Sequence, residues 1–202
     1  DHMLNGQLKP GYNVQIGTSK QFILGYSIHQ RPSDSTVLIP HLEWLKRRFG
    51  RFPEAVTADA GYGSEENYAW LDDNGVTAYV KYNNFHWEQK KKQRQNPFRV
   101  ENLPYDEDTD SYQCPAGQRL DYLETRERRS STGYESQVRI YEAEDCVGCG
   151  LREQCHKSKA NRRIEINAEL QGYRKRAREL LLSPEGLDHR SRRPIEPEAV
   201  FG

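Results

Sequence analysis

Asp59 stands at the end of a short apolar run, Ala55-Val56-Thr57-Ala58, and is followed at once by Ala60-Gly61-Tyr62-Gly63 and then Ser64-Glu65-Glu66-Asn67. Strand, acid, turn and helix in that order deliver a carboxylate to the carboxyl end of a buried strand, where α/β folds keep their sites. A carboxylate in that place either ligates a cation and reacting groups, or caps the following helix and satisfies turn amides. Gly61 and Gly63 suit a turn with unusual backbone angles or one that a ligand approaches closely.

The second set of residues with chemistry is the four cysteines, Cys114, Cys146, Cys149 and Cys155. Cys146 and Cys149 form a C-x-x-C pair with Cys155 just beyond, and Cys114 precedes Pro115-Ala116-Gly117, a turn that exposes its thiolate. No secretion signal is visible, so a structural Zn²⁺ is favoured over disulfides. A tetrahedral site of these four thiolates would tie together the polar stretch 105–155, whose apolar content is too thin to do so. His156 is a spare candidate, but beside Cys155 it reads as a bystander. The redox reading is weaker, because no thioredoxin-like strand precedes the pair. Four reduced, unligated thiols are the plain alternative, and the Cys149–Cys155 spacing departs from the paired knuckles of common zinc ribbons.

The elements that must position these groups follow from periodicity. Asn13–Thr18 alternates polar and apolar as a half-buried strand does, and Phe22–Ile28 is a second strand joined to it by Ser19-Lys20-Gln21 in a hairpin. Pro32-Ser33-Asp34-Ser35 reads as a helix N-cap region. Leu38, Leu42, Leu45 and Phe49 recur at helical spacing until Gly50 stops the helix, with Pro40 marking a start or a kink. The helix from Ser64 puts Tyr68 and Leu71 on one face and ends near Asn74-Gly75, and Val76–Tyr82 is a further strand. Residues 1–82 thus spell a mixed sheet with flanking helices.

From Asn83 the texture turns polar. Lys90-Lys91-Lys92-Gln93-Arg94 reads as a solvated loop, or as a phosphate-backbone contact with Trp87 available for stacking. Short hairpin strands are expected over 105–145, at Tyr112–Cys114, Arg119–Tyr122 and Val138–Tyr141. A long helix starts near Asn167 with Leu170, Tyr173, Ala177, Leu180 and Leu181 as its apolar stripe, and Ser183-Pro184-Glu185-Gly186 ends it. The expected division is 1–82 for a first core part, 83–165 for a cysteine-containing insertion, and 166–202 for the helix and segment that complete the core.

The 202 residues carry 30 basic and 30 acidic side chains and no net charge, so a nucleic acid would be bound by local patches rather than a global field. No apolar run approaches the ~20 residues of a membrane span, and a cytoplasmic protein is expected. Both ends read as cut, as in a fragment of a longer protein.

Gly11-Tyr12-Asn13-Val14-Gln15, Ala58-Asp59-Ala60-Gly61-Tyr62-Gly63-Ser64, the Cys-Pro-x-Gly and C-x-x-C cysteines, and Glu198-Ala199-Val200-Phe201-Gly202 together resemble a DDE-type transposase of bacterial insertion sequences, over nearly the whole chain. The resemblance implies a ribonuclease H-like α/β domain in which two Asp and one Glu bind two Mg²⁺ (or Mn²⁺) ions. Two ions ~3.5–4 Å apart activate the attacking oxygen and stabilise the leaving one. It implies hydrolysis followed by strand transfer, with element ends and target DNA as partners, a dimer in the synaptic complex, and action at the nucleoid. Asp59 matches the second Asp and Glu198 the Glu, with Glu196 as runner-up. The first Asp is expected on a strand upstream of the Asn13 hairpin; Asp1 is too close to the end to take that role, and such a fragment is expected to be inactive alone. Arg192 and Arg193, and in the insertion Lys91 and Arg94, are the expected DNA contacts. Two other readings remain: a non-catalytic, zinc-stabilised nucleic-acid-binding module or decayed transposase remnant, and an α/β domain whose Asp59 only caps.

Overall fold

In a computed structural model the described residues are 11–195. They divide into two compact units, one running to Phe85 and resuming at Gly172, the other His86–Gln171.

The first unit opens with an antiparallel hairpin, β1 (Asn13–Ser19) and β2 (Phe22–His29), turned through Lys20 and Gln21, both with positive φ. The alternation along β1 is real, but its faces are the reverse of the expected ones. Gln15 is 6 % exposed and Val14 is 50 % exposed. The polar side faces inward because Gln15 and Asn13 find partners there in Asp34 and Tyr62. It also carries the small residues that let helix α1 (Leu38–Phe49) approach: a Cβ on Gly25 would stand 2.3 Å from the Trp44 ring.

Helix α1 buries Leu38, Leu42 and Leu45 and closes on Gly50 in the left-handed conformation. It begins at Leu38, so Pro40 lies in the first turn, where an N–H has no intrahelical partner to lose. The stretch expected to cap α1 instead forms a 3₁₀ turn of its own, Asp34–Thr36.

Strand β3 (Ala55–Ala58) pairs in parallel with β4 (Thr77–Val80), Ala58 opposite Val80. Helix α2 (Glu65–Asp73) connects them, capped by Ser64 Oγ, which accepts from the Asn67 N–H, and it buries Tyr68 and Leu71. β1–β2 and β3–β4 remain two separate two-stranded sheets, so the single mixed sheet expected from the sequence is not formed among the described residues, none of which bridges the two pairs.

The long C-terminal helix is α6 (Ala168–Leu182), which buries Ala177 and Leu181 and stacks Tyr173 on Tyr68. Ser183-Pro184 does more than end it. Ser183 Oγ accepts from the Gly186 N–H and Pro184 takes the first helical position of α7 (Pro184–Arg192), where the sequence predicts only the end of the long helix.

The second unit contains two short helices, α3 (Phe85–Glu88, from its second residue) and α4 (Lys91–Arg94), then a five-stranded antiparallel sheet. Its strands are β5 (Tyr105–Asp106), β6 (Ser111–Gln113), β7 (Arg119–Arg129), β8 (Glu135–Ala143) and β9 (Arg163–Ile166), neighbours in that order; the short helix α5 (Arg152–Cys155) precedes β9. β7 and β8 run well past the short pieces expected from sequence, because cross-strand charge pairs such as Arg129–Glu135 carry the polar ends. The core beneath them includes Leu103, Leu120, Tyr141, Ile164 and Ile166. The basic run 90–94, expected as loop, is turned into α4 with Lys91 and Arg94 exposed.

Candidate active site

Asp59 leaves β3 at the carboxyl end of the parallel pair, one residue beyond Ala58, and Lys81 leaves β4 beside it, its N–H donating to the Ala58 carbonyl at 3.2 Å. Asp59 Oδ1 accepts from the Gly61 N–H at 3.1 Å and so caps the 3₁₀ turn Ala60–Tyr62. Its other oxygen accepts from Arg193 Nη2 at 2.9 Å. The capping role is therefore present, together with a second, ionic one.

The two glycines of this turn have a different explanation from the one their type implied. Neither has a positive φ. A Cβ on Gly63 would lie 2.4 Å from the Lys81 carbonyl oxygen and 2.8 Å from Tyr82 Cα, so the turn packs directly on the exit of β4. A Cβ on Gly61 would meet Asp34 Oδ2 at 3.1 Å and Asp59 Oδ1 at 3.3 Å. Close approach is indeed the reason, but by the chain itself.

That geometry brings in Asp34, which sequence patterning placed only in a cap. Its carboxylate lies against the same glycine as Asp59. Asn13 Nδ2 donates to Asp34 Oδ1 at 2.9 Å and Gln15 Nε2 at 3.3 Å, and the Tyr62 hydroxyl donates to Gln15 Oε1. Burial, then the charges of Asp34 and Asp59, push the Tyr62 phenol up to about 12, so it stays a donor across the physiological range. Asn67, 1 % exposed, fastens the two turns together, its Nδ2 donating to the Ser35 and Tyr62 carbonyls.

Helix α7 supplies the cations. His189 stacks on Tyr79 at 4.2 Å, with Nδ1 3.2 Å from Thr57 Oγ1, and this seats the helix on β3 and β4. Arg190 lies over the Phe85 ring, and its Nη1 donates to the Leu181 carbonyl. Arg193 reaches Asp59. Arg192, an expected DNA contact, pairs with Asp188 one turn back. Burial, then the Arg193 and Arg190 charges, lower the Lys81 ammonium from its ordinary range, while Asp59 opposes them. Glu198, Glu196 and Asp1 lie outside the described residues.

In the second unit, Cys114, Cys146, Cys149 and Cys155 all line one cavity of about 20 Å³, together with His156 and Arg162. Arg162, 5 % exposed, donates through Nη1 to Cys155 Sγ at 3.2 Å and through its backbone N–H to Cys146 Sγ at 3.4 Å. Burial raises the Cys155 thiol and the Arg162 charge works against it. Both His156 ring nitrogens are buried with no hydrogen-bond partner among the described residues. All four thiols are free. Even so, among the described residues no set of three or more His, Cys, Asp or Glu side chains is arranged to hold a metal ion, at the cysteines or at Asp59. The expected Zn²⁺ ligand set is thus not formed among the described residues, while the Mg²⁺ set includes Glu198, outside them. At the cysteines the Arg162 guanidinium stands against one sulfur, and at Asp59 the Arg193 guanidinium holds one oxygen.

Trp87, expected to offer a stacking face, has the Arg99 guanidinium 4.3 Å from its ring centroid. No helix of the described residues is long and apolar enough to cross a membrane.

Residues 113–202 match the family described as the transposase DDE domain, a span that includes the cysteines, α7 and Glu198 but not Asp59. No curated protein and no solved structure matches the chain. Over residues 113–202 the chain is thus similar to the transposase DDE domain, which supports a DDE-type transposase.

Proposed function

We propose that the chain is a catalytic-domain part of a DDE-type transposase, with Asp59 and Glu198 among the carboxylates that hold two Mg²⁺ or Mn²⁺ ions. The reaction is phosphodiester hydrolysis and then strand transfer at insertion-sequence ends, by a dimer that pairs those ends with target DNA. When bound, the ions supply an activated nucleophile and a stabilised leaving oxygen. The observation that carries this reading is Asp59 at the carboxyl end of β3, with Asp34 beside it and cations from α7 and β4 around it. Arg193 pairs with the Asp59 carboxylate. With a cation on Asp59, Arg193 would be free to face the DNA. The ribonuclease H-like order of strands belongs to the same proposal, with β1–β2 and β3–β4 as two of its pairs.

Calorimetric titration with Mn²⁺ tests this. Binding that Asp59→Ala abolishes is expected. Binding that survives in the variant, or is missing from both proteins, would overturn Asp59 as a metal ligand. Without metal, Asp59→Ala loses a turn cap and an ion pair that is about half exposed, and is expected to cost about 1 kcal/mol.

A second reading, a zinc-stabilised nucleic-acid-binding module, is favoured by the meeting of all four cysteines on one cavity. The two readings agree on zinc: four sulfurs on one small cavity suit a borderline-soft ion chemically. Elemental analysis is expected to find one zinc per chain, and Cys149→Ser to lose it. Zinc content unchanged in that variant would remove Cys149 from the ligand set. Lys91 and Arg94, both exposed on α4, are the proposed DNA contacts of this unit.

A further inference from the structure

Lys81 and Asp59 leave β4 and β3 side by side, Arg193 reaches Asp59 at 2.9 Å, and the charges of Arg193 and Arg190 bear on the Lys81 ammonium. Arg193 is committed to Asp59. Arg190 is held by the Leu181 carbonyl and the Phe85 ring. The Lys81 ammonium has no hydrogen-bond or ion-pair partner among the described residues, although the side chain is half-buried. Its backbone is fixed from two sides. Its N–H bonds to the Ala58 carbonyl, and its own carbonyl packs against Gly63. With Arg193 paired to Asp59, and Asp34 beside it held by Asn13 and Gln15, the Lys81 ammonium is a cation without its own carboxylate in a partly desolvated place, and such an arrangement is relieved by an anion.

We propose that Lys81 is a phosphate-binding residue. It forms with Arg193 and Arg190 a cationic seat, next to Asp59, for a non-bridging oxygen of a DNA backbone phosphate. The proposal deepens the transposase reading and rests on it for the identity of the anion. An ammonium is suited to this place: it is a compact point charge on a flexible stem, able to follow a phosphate that shifts as the reaction proceeds, whereas the two guanidinium groups are anchored. The seat explains why β4 ends on a lysine beside an acid that it does not contact as an ion pair. It also accounts for the seating of α7, since the stack of His189 on Tyr79 fixes the height at which Arg193 reaches Asp59.

The test is fluorescence anisotropy of a labelled 30-base-pair duplex of arbitrary sequence, titrated with the full chain over a range of salt concentrations, with inorganic pyrophosphate as a second probe. Lys81→Gln, Lys81→Arg and Lys175→Gln are compared with the parent chain, and a thermal melt of each confirms folding; Lys81→Met replaces Lys81→Gln if the latter does not fold. Losing one phosphate contact lowers the slope of log K against log salt by about 0.9. Lys81→Gln is expected to show that drop with several-fold weaker binding. Lys81→Arg is expected to restore most of it, and Lys175→Gln to leave it unchanged. Duplex binding equal in Lys81→Gln and the parent overturns the seat and leaves the DNA reading standing. If the parent binds no duplex, the DNA reading fails for this chain. Pyrophosphate then decides: binding lost in Lys81→Gln keeps a phosphate seat at Lys81, and no binding, or binding indifferent to Lys81, overturns it.

Discussion

Gly63 has no room for a side chain, because the Lys81 carbonyl oxygen would sit 2.4 Å from its Cβ and belongs to backbone that cannot turn aside. Gly63→Ala is therefore expected to destabilise the chain by about 1–3 kcal/mol, as overpacking does, and a urea titration reads it. The expected accompaniment is a displaced Lys81, seen as weaker duplex binding. His41 is the other residue whose surroundings dictate a measurable response. It is 5 % exposed, and its Nδ1 lies 2.7 Å from Ser27 Oγ, whose second neighbour is His29 Nε2. Burial, and then the His29 charge, lower its pKa from 6.5 to about 4. Between those values the unfolded chain binds the extra proton, so the contribution of neutral His41 is complete at pH 7 and is lost as pH falls from 6.5 towards 4. The urea midpoint is expected to fall between about pH 7 and about pH 4.5, and less so in His41→Gln. An equal fall in both proteins would assign the effect elsewhere.

At the scale of elements, α7 does most to assemble the site, although it is only nine residues long. It places His189 on Tyr79 and, just past its end, Arg193 on Asp59. Its start depends on the Ser183 cap, so Ser183→Ala is expected to cost about 1 kcal/mol and to weaken the Arg193–Asp59 pair, checked by thermal denaturation and by easier Mn²⁺ entry. The hairpin β1–β2 shows how function competes with burial. Its inward side is given to Asn13 and Gln15, which hold Asp34, while Val14, Tyr26 and Ile28 are left at least half exposed. On β7 the arginines at 126, 128 and 129 pair with Glu124, Glu165 and Glu135, so that stretch offers less free charge than its composition implies.

At the scale of the molecule, the chain has no net charge, and its cations act in groups. The cysteines all fall within His86–Gln171, whose core holds few apolar residues. If zinc occupies them, a chelator is expected to remove hydrogen-exchange protection first from peptides of 98–166, while peptides of 13–82 keep theirs. Protection that is unchanged after complete zinc removal would show that this sheet stands without the metal. The family match, from 113 to 202, begins inside this unit and runs past the end of α7.

Local chemistry determined the elements whose ends are written in a few neighbouring residues. The β3 run up to Asp59, the Ser64 cap, the left-handed Gly50 and the hairpin turn before Phe22 all follow from propensity and capping. The four cysteines were legible as a group for the same reason, since type and spacing carry their chemistry. What depends on residues far apart in the chain was decided only by tertiary structure. Asp34 meets Asp59 across Gly61, Arg193 pairs with Asp59 beside Lys81, and the polar face of β1 turns inward. None of these has a sequence period, because each partner is chosen by packing and by the need of a buried polar group for a partner, not by its neighbours along the chain.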